Sequence, residues 1–158
     1  MEQAVVDRKG KELTMSRVLN APRELVFDAW TDPKHLANWW GPDGFTITSK
    51  QMEAKAGGSW SFMMHGPDGT DFPNHIVFIE VVRPEKLVYR HGGGEGDLKD
   101  VNFHVTVSFE QLGNQTRLTM HSVFTSAEEL DRLNREYGAI EGGKQHINRL
   151  AEYLLSIQ

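Results

Sequence analysis

The hydrophobic period of this sequence changes part-way along the chain, and that change restricts the fold more than any other feature. From Phe45 to Thr125 apolar residues tend to alternate with polar ones, which is the period of a β-strand with one buried face. From Ser126 onward they recur at helical spacing. Glycine- and proline-rich turns separate the alternating segments, so the strands should pair in order as an antiparallel meander.

The turns predict where the strands begin and end. The apolar parity slips between Ile47 and Met52, which indicates a β-bulge. With Gly113-Asn114 as a hairpin turn, Val105 should lie opposite Ser122. We therefore expect seven strands, at residues 12–19, 45–56, 60–65, 75–82, 87–89, 101–112 and 116–124.

Two short helices are expected after the first strand. Asn20 is a cap-type residue just ahead of Pro22, which predicts a helix over residues 22–30. Asp32-Pro33 starts a second helix by the same chemistry, with Leu36 on its buried face. Proline suits a first helical turn because the N–H that it lacks would have no partner there.

A long helix should close the chain. Ser126 and Glu129 have the spacing of a capping box, and Gly138 should break or bend the helix that follows. Its apolar stripe is Ile140, Gly143, Ile147, Leu150, Ala151 and Leu154, and its solvated side is Glu141, Gln145, Asn148, Arg149 and Glu152. Because the stripe must be buried, we predict an α+β fold in which a curved antiparallel sheet surrounds this helix and leaves room for a pocket.

Composition excludes several classes of function. The net charge of −5 and the pI of about 5.8 give no electrostatic footprint for nucleic acid or an anionic membrane. Without cysteines there are no disulfides, zinc-thiolate sites or thiol nucleophiles. Residues 1–11 lack the apolar core of a signal peptide and should be a flexible N-terminus ahead of one domain at residues 12–158, with a loose loop at residues 92–97. We expect a cytoplasmic protein, either a monomer or a homodimer.

The search for catalytic and metal-binding patterns is mostly negative. The sequence has no nucleophile elbow, no metalloprotease pair of histidines and no phosphate-binding glycine loop. The carboxylates near the strands show no spacing that makes two of them converge, and the histidines do not cluster as metal ligands do. We therefore expect no catalytic residues, no metal and no cofactor.

Several segments together carry a family resemblance. They are APRELVFDAWTDP at 21–33, WWGP at 39–42, GGSW at 57–60, GPDGTDF at 66–72, RPEKLVY at 83–89 and INRLAEYL at 147–154. In order and spacing they resemble the START-like (SRPBCC) helix-grip proteins, in particular the branch related to the Hsp90 ATPase activator C-terminal domain and the calicheamicin-resistance protein. The resemblance implies a helix-grip fold and one of three roles: binding a hydrophobic small molecule, acting on polyketides, or regulating a protein partner. It also suggests a role in stress response.

Large apolar side chains on the expected concave face are candidates for a ligand site. Tyr89 adds a hydroxyl that could orient a polar ligand atom, and His75 shares its parity with the apolar Val77. Gly142-Gly143 is unusual inside a helix, and serves either close packing, a kink or room for a ligand. The candidate residues are Trp39, Trp40, Trp60, Phe62, Met64, His75, Ile79, Tyr89, Phe103, Val105, Val107, Met120, Gly143 and Ile147, most of which could equally be ordinary core.

Three functions remain open from the sequence. We expect non-catalytic binding of a small hydrophobic molecule between the sheet and the last helix. A protein-binding regulator is the second hypothesis, and it requires an exposed Trp39 or Trp40. A polyketide-cyclase-like enzyme is the third, and it requires His75, Tyr89 and a carboxylate to converge inside a cavity.

Overall fold

The computed structural model describes residues 4–92 and 102–158. Within them lie eight strands and four helices. In chain order these are β1 (Val5–Lys9), β2 (Glu12–Leu19), α1 (Arg23–Thr31), α2 (Pro33–Leu36), β3 (Thr46–Met52), β4 (Ser59–His65), β5 (Asp71–Val82), β6 (Lys86–Gly92), β7 (Asn102–Leu112), β8 (Gln115–Val123), α3 (Ala127–Tyr137) and α4 (Ala139–Ser156). The loop expected at residues 92–97 lies, from residue 93 on, outside the described residues.

The strands form one antiparallel sheet in the order β1-β2-β8-β7-β6-β5-β4-β3. Strands β3 to β8 make the expected meander, and β2 pairs with β8, so the short helices α1 and α2 connect opposite parts of the sheet. Val105 lies opposite Ser122 as predicted, and the register of β3 shifts between Ser49 and Gln51, inside the interval where a bulge was expected. The α+β class and the curved sheet with its C-terminal helix are confirmed.

The structure has one strand more than the seven expected. Strand β1 lies in the segment that we took for a flexible N-terminus, and it pairs with β2 from Val5 opposite Ser16 to Lys9 opposite Glu12. It is an edge strand that its backbone pairing with β2 holds in place, with Val6 packed partly buried against the core. Arg8 adds a 2.7 Å ion pair to Asp131 of α3.

Helix α1 begins three residues after Asn20, and helix α2 begins one residue after Asp32. The residue that precedes α1 is Pro22, without a side-chain cap, so Asn20 does not cap this helix as expected. Asp32 does cap α2, because its carboxylate accepts a hydrogen bond of 2.9 Å from the backbone N–H of Lys34. Leu36 is fully buried, as predicted.

The C-terminal segment consists of two helices separated at Gly138. The Ser126 hydroxyl accepts a hydrogen bond of 3.0 Å from the Glu129 N–H, which confirms the N-cap of α3. Gly138 has φ +63°, a left-handed conformation that glycine adopts without strain, and it ends α3. In α4, Ile147, Leu150 and Leu154 are buried against the sheet. In the part of the chain that the structure describes, no helix is long and apolar enough to cross a membrane.

Burial of the α4 stripe gives a first prediction. Leu150→Ala should lower the free energy of unfolding by about 2–5 kcal/mol, because a fully buried leucine leaves a cavity when it is truncated. Chemical denaturation measures this loss. The control is Leu155→Ala on the same helix, where 53% of the side chain is exposed and the loss should stay below about 0.5 kcal/mol. Equal losses at the two positions would contradict the packing of α4.

Candidate functional site

A cavity of about 560 Å³ lies between the sheet and the helices α3 and α4. Its wall from the sheet consists of inward-facing side chains of β2, β4, β5, β6 and β8, with Phe103 from β7. The residues after α2, from Trp40 to Asp43, and the first turns of α4 form the opposite wall. The volume is in the range of small-molecule sites.

The inward face of β5 is the opposite of the one we expected. Trp60 pairs with Ile76 and Phe62 pairs with Asn74, so the even-numbered residues of β5 face the concave side. His75 and Ile79 therefore point away from the cavity, and 48% of Ile79 is exposed. The prediction that they line the site is wrong. Both faces of this strand carry apolar residues, so its own sequence did not indicate which face is buried.

The remaining candidates divide between the cavity wall and the core. Those at the cavity are Trp40, Met64, Tyr89, Phe103, Met120 and Gly143. Those buried in the core without lining the cavity are Trp39, Trp60, Phe62, Val105, Val107 and Ile147. Neither tryptophan of the Trp39-Trp40 pair is exposed, since 0% of Trp39 and 4% of Trp40 is accessible. The sequence reasoning missed His91 and His146, which both line the cavity.

His146 occupies the centre of an aromatic cluster. Its imidazole lies edge-on to the indole rings of Trp40, at 4.4 Å between ring centroids, and of Trp30, at 5.7 Å. Trp40 in turn contacts Trp60 edge-on at 4.9 Å, and the cluster joins the α1–α2 segment to α4 and to β4. Position 146 fits the helical spacing of the apolar stripe, but it was not counted there because histidine is polar. Its place in that spacing was the one sign in the sequence that this histidine is buried.

Polar side chains that we placed on the solvated side of α4 instead hold the loop that follows α2. Nη1 of Arg149 lies within 3.1 Å of the carbonyl oxygens of Trp40, Gly41 and Pro42. The backbone N–H of Gly41 donates a 3.0 Å hydrogen bond to Nδ1 of His146. Asn148 likewise accepts a hydrogen bond from Arg17 of β2. Arg149 and Asn148 are therefore anchors and not solvated residues, and their partners, the loop after α2 and strand β2, are distant in sequence.

Tyr89 has a buried hydroxyl without a hydrogen-bond partner among the described residues. Only 1% of the residue is accessible, and it lines the cavity. Burial raises the pKa of the phenol well above its usual range, while the side chain of Trp30, a donor near the hydroxyl that does not reach the geometry of a full hydrogen bond, opposes this shift. The hydroxyl is therefore protonated, and it is enclosed by the protein, so Tyr89 borders the cavity without presenting this hydroxyl to it.

His91 stands two residues further along the same face of β6. Its Nε2 lies 2.8 Å from Oδ1 of Asn74, whose Nδ2 donates to the carbonyl oxygen of Phe72 at 2.9 Å. Because the amide oxygen of Asn74 is an acceptor, Nε2 of His91 must carry the hydrogen. Burial lowers the pKa of His91 to about 4, so the ring is neutral at pH 7 and its Nδ1 is an acceptor.

His146 is fixed in the same tautomer by a different contact. Its Nδ1 accepts the Gly41 N–H, so a neutral ring carries its hydrogen on Nε2. Burial first, then the charges of Arg149 and His91, lower the pKa of His146 to about 3. Two neutral imidazoles thus face the cavity. In the described parts of the chain, no group of three histidine, aspartate or glutamate side chains is arranged to hold a metal ion.

The adjacent glycines of α4 border the cavity in different ways. A Cβ at Gly143 would lie 2.7 Å from Cε and 3.0 Å from Sδ of Met15, so the absence of a side chain permits close packing of α4 on β2. A Cβ at Gly142 would meet only Pro42, at an ordinary 3.7 Å. A Cβ can therefore be added at Gly142, beside the cavity, without displacing a neighbour.

The unpaired phenol gives a second prediction. Tyr89→Phe should cause no loss of stability and a gain of up to about 1 kcal/mol, because it removes a buried hydroxyl that has no partner. Urea denaturation of the unliganded protein measures the change. The matched control is Tyr153→Phe, whose hydroxyl is 2.6 Å from Nδ1 of His35 and whose removal should cost about 0.5–1.5 kcal/mol. A loss at Tyr89 as large as that at Tyr153 would contradict the assignment.

The imidazoles of His146, which is buried, and His91, which is partly buried, give a third prediction. In the unfolded chain they take up protons near pH 6.5, whereas in the folded protein they do so only near pH 4 and pH 3. The unfolded state thus binds more protons in this window, so the free energy of unfolding is greatest above pH 6.5 and should fall by about 2–4 kcal/mol from pH 7 to pH 5. Denaturation at both pH values measures the fall, and ¹⁵N NMR should show both rings as Nε2–H tautomers at pH 7. Protonation of either ring above pH 5.5 in the folded protein would contradict their burial.

Comparison with known proteins finds solved structures that share this architecture. Among solved structures, a protein from Arthrobacter aurescens is 30% identical, with 96% of this chain and 91% of that chain covered and a TM-score of 0.89. Ms6760 from Mycobacterium smegmatis is 24% identical, with 97% of both chains covered and a TM-score of 0.85. CalU16 from Micromonospora echinospora is 15% identical, with 96% and 85% covered and a TM-score of 0.64. At the last two identities, the likeness shows the fold alone.

The family assignment comes from a sequence model. No curated protein sequence matches the chain significantly. The model described as Activator of Hsp90 ATPase homolog 1-like protein matches residues 20–155, which is most of the chain and contains every element from α1 to α3 and nearly all of α4. The resemblance found in the sequence is thereby confirmed. The chain belongs to the Activator of Hsp90 ATPase homolog 1-like protein family.

Proposed function

We propose that this protein binds a small, mainly apolar molecule in the cavity between the sheet and α4, and that it does so without catalysing a reaction. The observation that carries the proposal is the cavity itself, about 560 Å³ in volume and walled largely by aromatic and aliphatic side chains. A cavity of this kind with a few polar groups is how small-molecule sites are usually built. The fold of the family is one of ligand-binding domains, which agrees with this function.

The two alternative functions lack the features that they required. A protein-binding surface centred on Trp39 or Trp40 is not supported, because both side chains are buried. A cyclase-like arrangement of His75, Tyr89 and a carboxylate is not supported either, because His75 lies on the other face of the sheet. Nothing in the described residues favours these functions over ligand binding.

The fourth prediction tests the cavity with a neutral, flat fluorescent probe, 1-aminoanthracene. The probe should bind with increased fluorescence, and at a hundredfold excess over its dissociation constant it should stabilise the fold by about 2.7 kcal/mol. Gly142→Leu should abolish both effects, because the new side chain occupies the cavity. Fluorescence titration and thermal denaturation measure the two effects.

Gly142→Ala is the control for this experiment. It adds one methyl group at a position with free space and should raise helix stability by up to about 1 kcal/mol while leaving probe binding intact. If Gly142→Leu folds and still binds the probe with unchanged affinity, the probe does not occupy this cavity. If neither 1-aminoanthracene nor other flat apolar compounds bind the unmodified protein, the proposed function is wrong.

A further inference from the structure

The outer face of the sheet carries a chain of hydrogen bonds that the ligand site does not use. Three side chains from neighbouring strands form it: Thr48 of β3, His65 of β4 and Asp71 of β5. Oγ1 of Thr48 lies 2.8 Å from Nε2 of His65, and Nδ1 of the same ring lies 2.8 Å from Oδ1 of Asp71. A hydroxyl, an imidazole and a carboxylate are joined in this order where a hydroxyl is activated as a nucleophile.

We propose that Thr48 is a nucleophilic hydroxyl that accepts acyl groups from activated esters, with His65 as its general base and Asp71 as the residue that positions the imidazole. Met64 lines the cavity, and the next side chain of the strand, His65, points to the opposite face. The proposal is therefore independent of the ligand-binding function, and either can fail without the other.

The contacts determine the direction of each hydrogen bond when the imidazole is neutral. A carboxylate can only accept, so Nδ1 of His65 carries the hydrogen and donates it to Asp71. Nε2 of the ring then has a lone pair, which accepts the hydrogen of the Thr48 hydroxyl. The hydroxyl proton therefore points at the base that would remove it. Because the three residues lie on three strands, no spacing within the sequence indicated them.

The three groups are open to a reagent in solution. Thr48 is exposed, and the side chains of His65 and Asp71 are 36% and 55% accessible. Strand β3 is the last strand of the sheet, so no described strand covers its outer edge. Lys50, the one cation of β3, is exposed two residues beyond Thr48, and its flexible stem lets the ammonium approach the negative oxygen that forms during the attack.

The proposed step is an acyl transfer from oxygen to oxygen. Oγ1 of Thr48 attacks the acyl carbon and its proton passes to Nε2 of His65, while the bond from the acyl carbon to the leaving oxygen breaks. The leaving group departs with the electron pair of that bond. The imidazolium, stabilised by the Asp71 carboxylate, then gives its proton to the solvent or to the leaving group. The product is a threonine ester and a neutral imidazole.

A second hydroxyl on the same face provides a comparison within the molecule. Oγ of Ser61 lies 2.8 Å from Nδ1 of His75, the same distance as in the Thr48 pair. Among the described residues, no carboxylate binds the other nitrogen of His75 and fixes its tautomer. A primary hydroxyl is less hindered than that of threonine, so Ser61 would react faster if a neighbouring imidazole were sufficient. The proposal requires Thr48 to react faster.

The test uses p-nitrophenyl acetate, an activated ester, with the whole chain at pH 7.5. Peptide mass mapping, which separates this product from acetylated lysines, should find Thr48 acetylated at least about tenfold faster than Ser61, because an oriented general base contributes this much or more. Thr48→Val should remove the product and Thr48→Ser should retain it. Thr46→Val, which removes the neighbouring exposed hydroxyl of the same strand, should leave acetylation of Thr48 unchanged.

Asp71→Asn tests the positioning role. The new amide can donate to Nδ1 of His65, so the ring hydrogen should move to Nε2, which ¹⁵N NMR measures, and acetylation of Thr48 should become slower by at least about tenfold. Near-native thermal stability is expected, because the side chain of Asp71 is largely exposed. If Thr48 is acetylated no faster than Ser61, or if Asp71→Asn leaves its rate unchanged, the proposal is wrong.

Discussion

The packing of His146 is the constraint on which the rest of this structure depends. Its imidazole contacts three indole rings, accepts the Gly41 N–H and still borders the cavity. Through these contacts one side chain of α4 connects the α1–α2 segment to the helix that crosses the sheet. A charged ring could not occupy this position, because its desolvation would be uncompensated. The core and the cavity wall therefore share one neutral histidine.

The two ends of α4 pack differently against the concave face of the sheet. At the end of α4 that carries Leu150 and Leu154, the side chains are buried in the core, and this part stabilises the fold. At the other end, Gly142 borders the cavity without a side chain, and the Tyr89 hydroxyl is buried without a hydrogen-bond partner among the described residues. A buried hydroxyl without a partner lowers stability at this end of the concave face.

Strand β5 explains why the candidate site was only partly predictable. In a strand with one solvated face, alternation identifies the inward residues, as it did for Trp60, Phe62 and Met64 on β4. In β5 both faces are apolar, and the correct set followed only from its register against β4. His75 was therefore taken for an inward residue. His91 was missed for a different reason, because the strand that carries it was expected to end at residue 89, whereas β6 extends to Gly92.

The sequence alone determined the order of the elements from β2 onward, the antiparallel meander, the hairpin register around Gly113, the break at Gly138 and the family, because these depend on local turn chemistry and on periodicity within single segments. The tertiary structure decided the rest. That Arg149 binds three carbonyl oxygens, that Trp39 and Trp40 are both buried, and that Tyr89 is left without a partner all depend on residues that are far apart in the chain. A pattern within one segment shows which side chains must leave water, but only the packed fold determines which of them find a partner there.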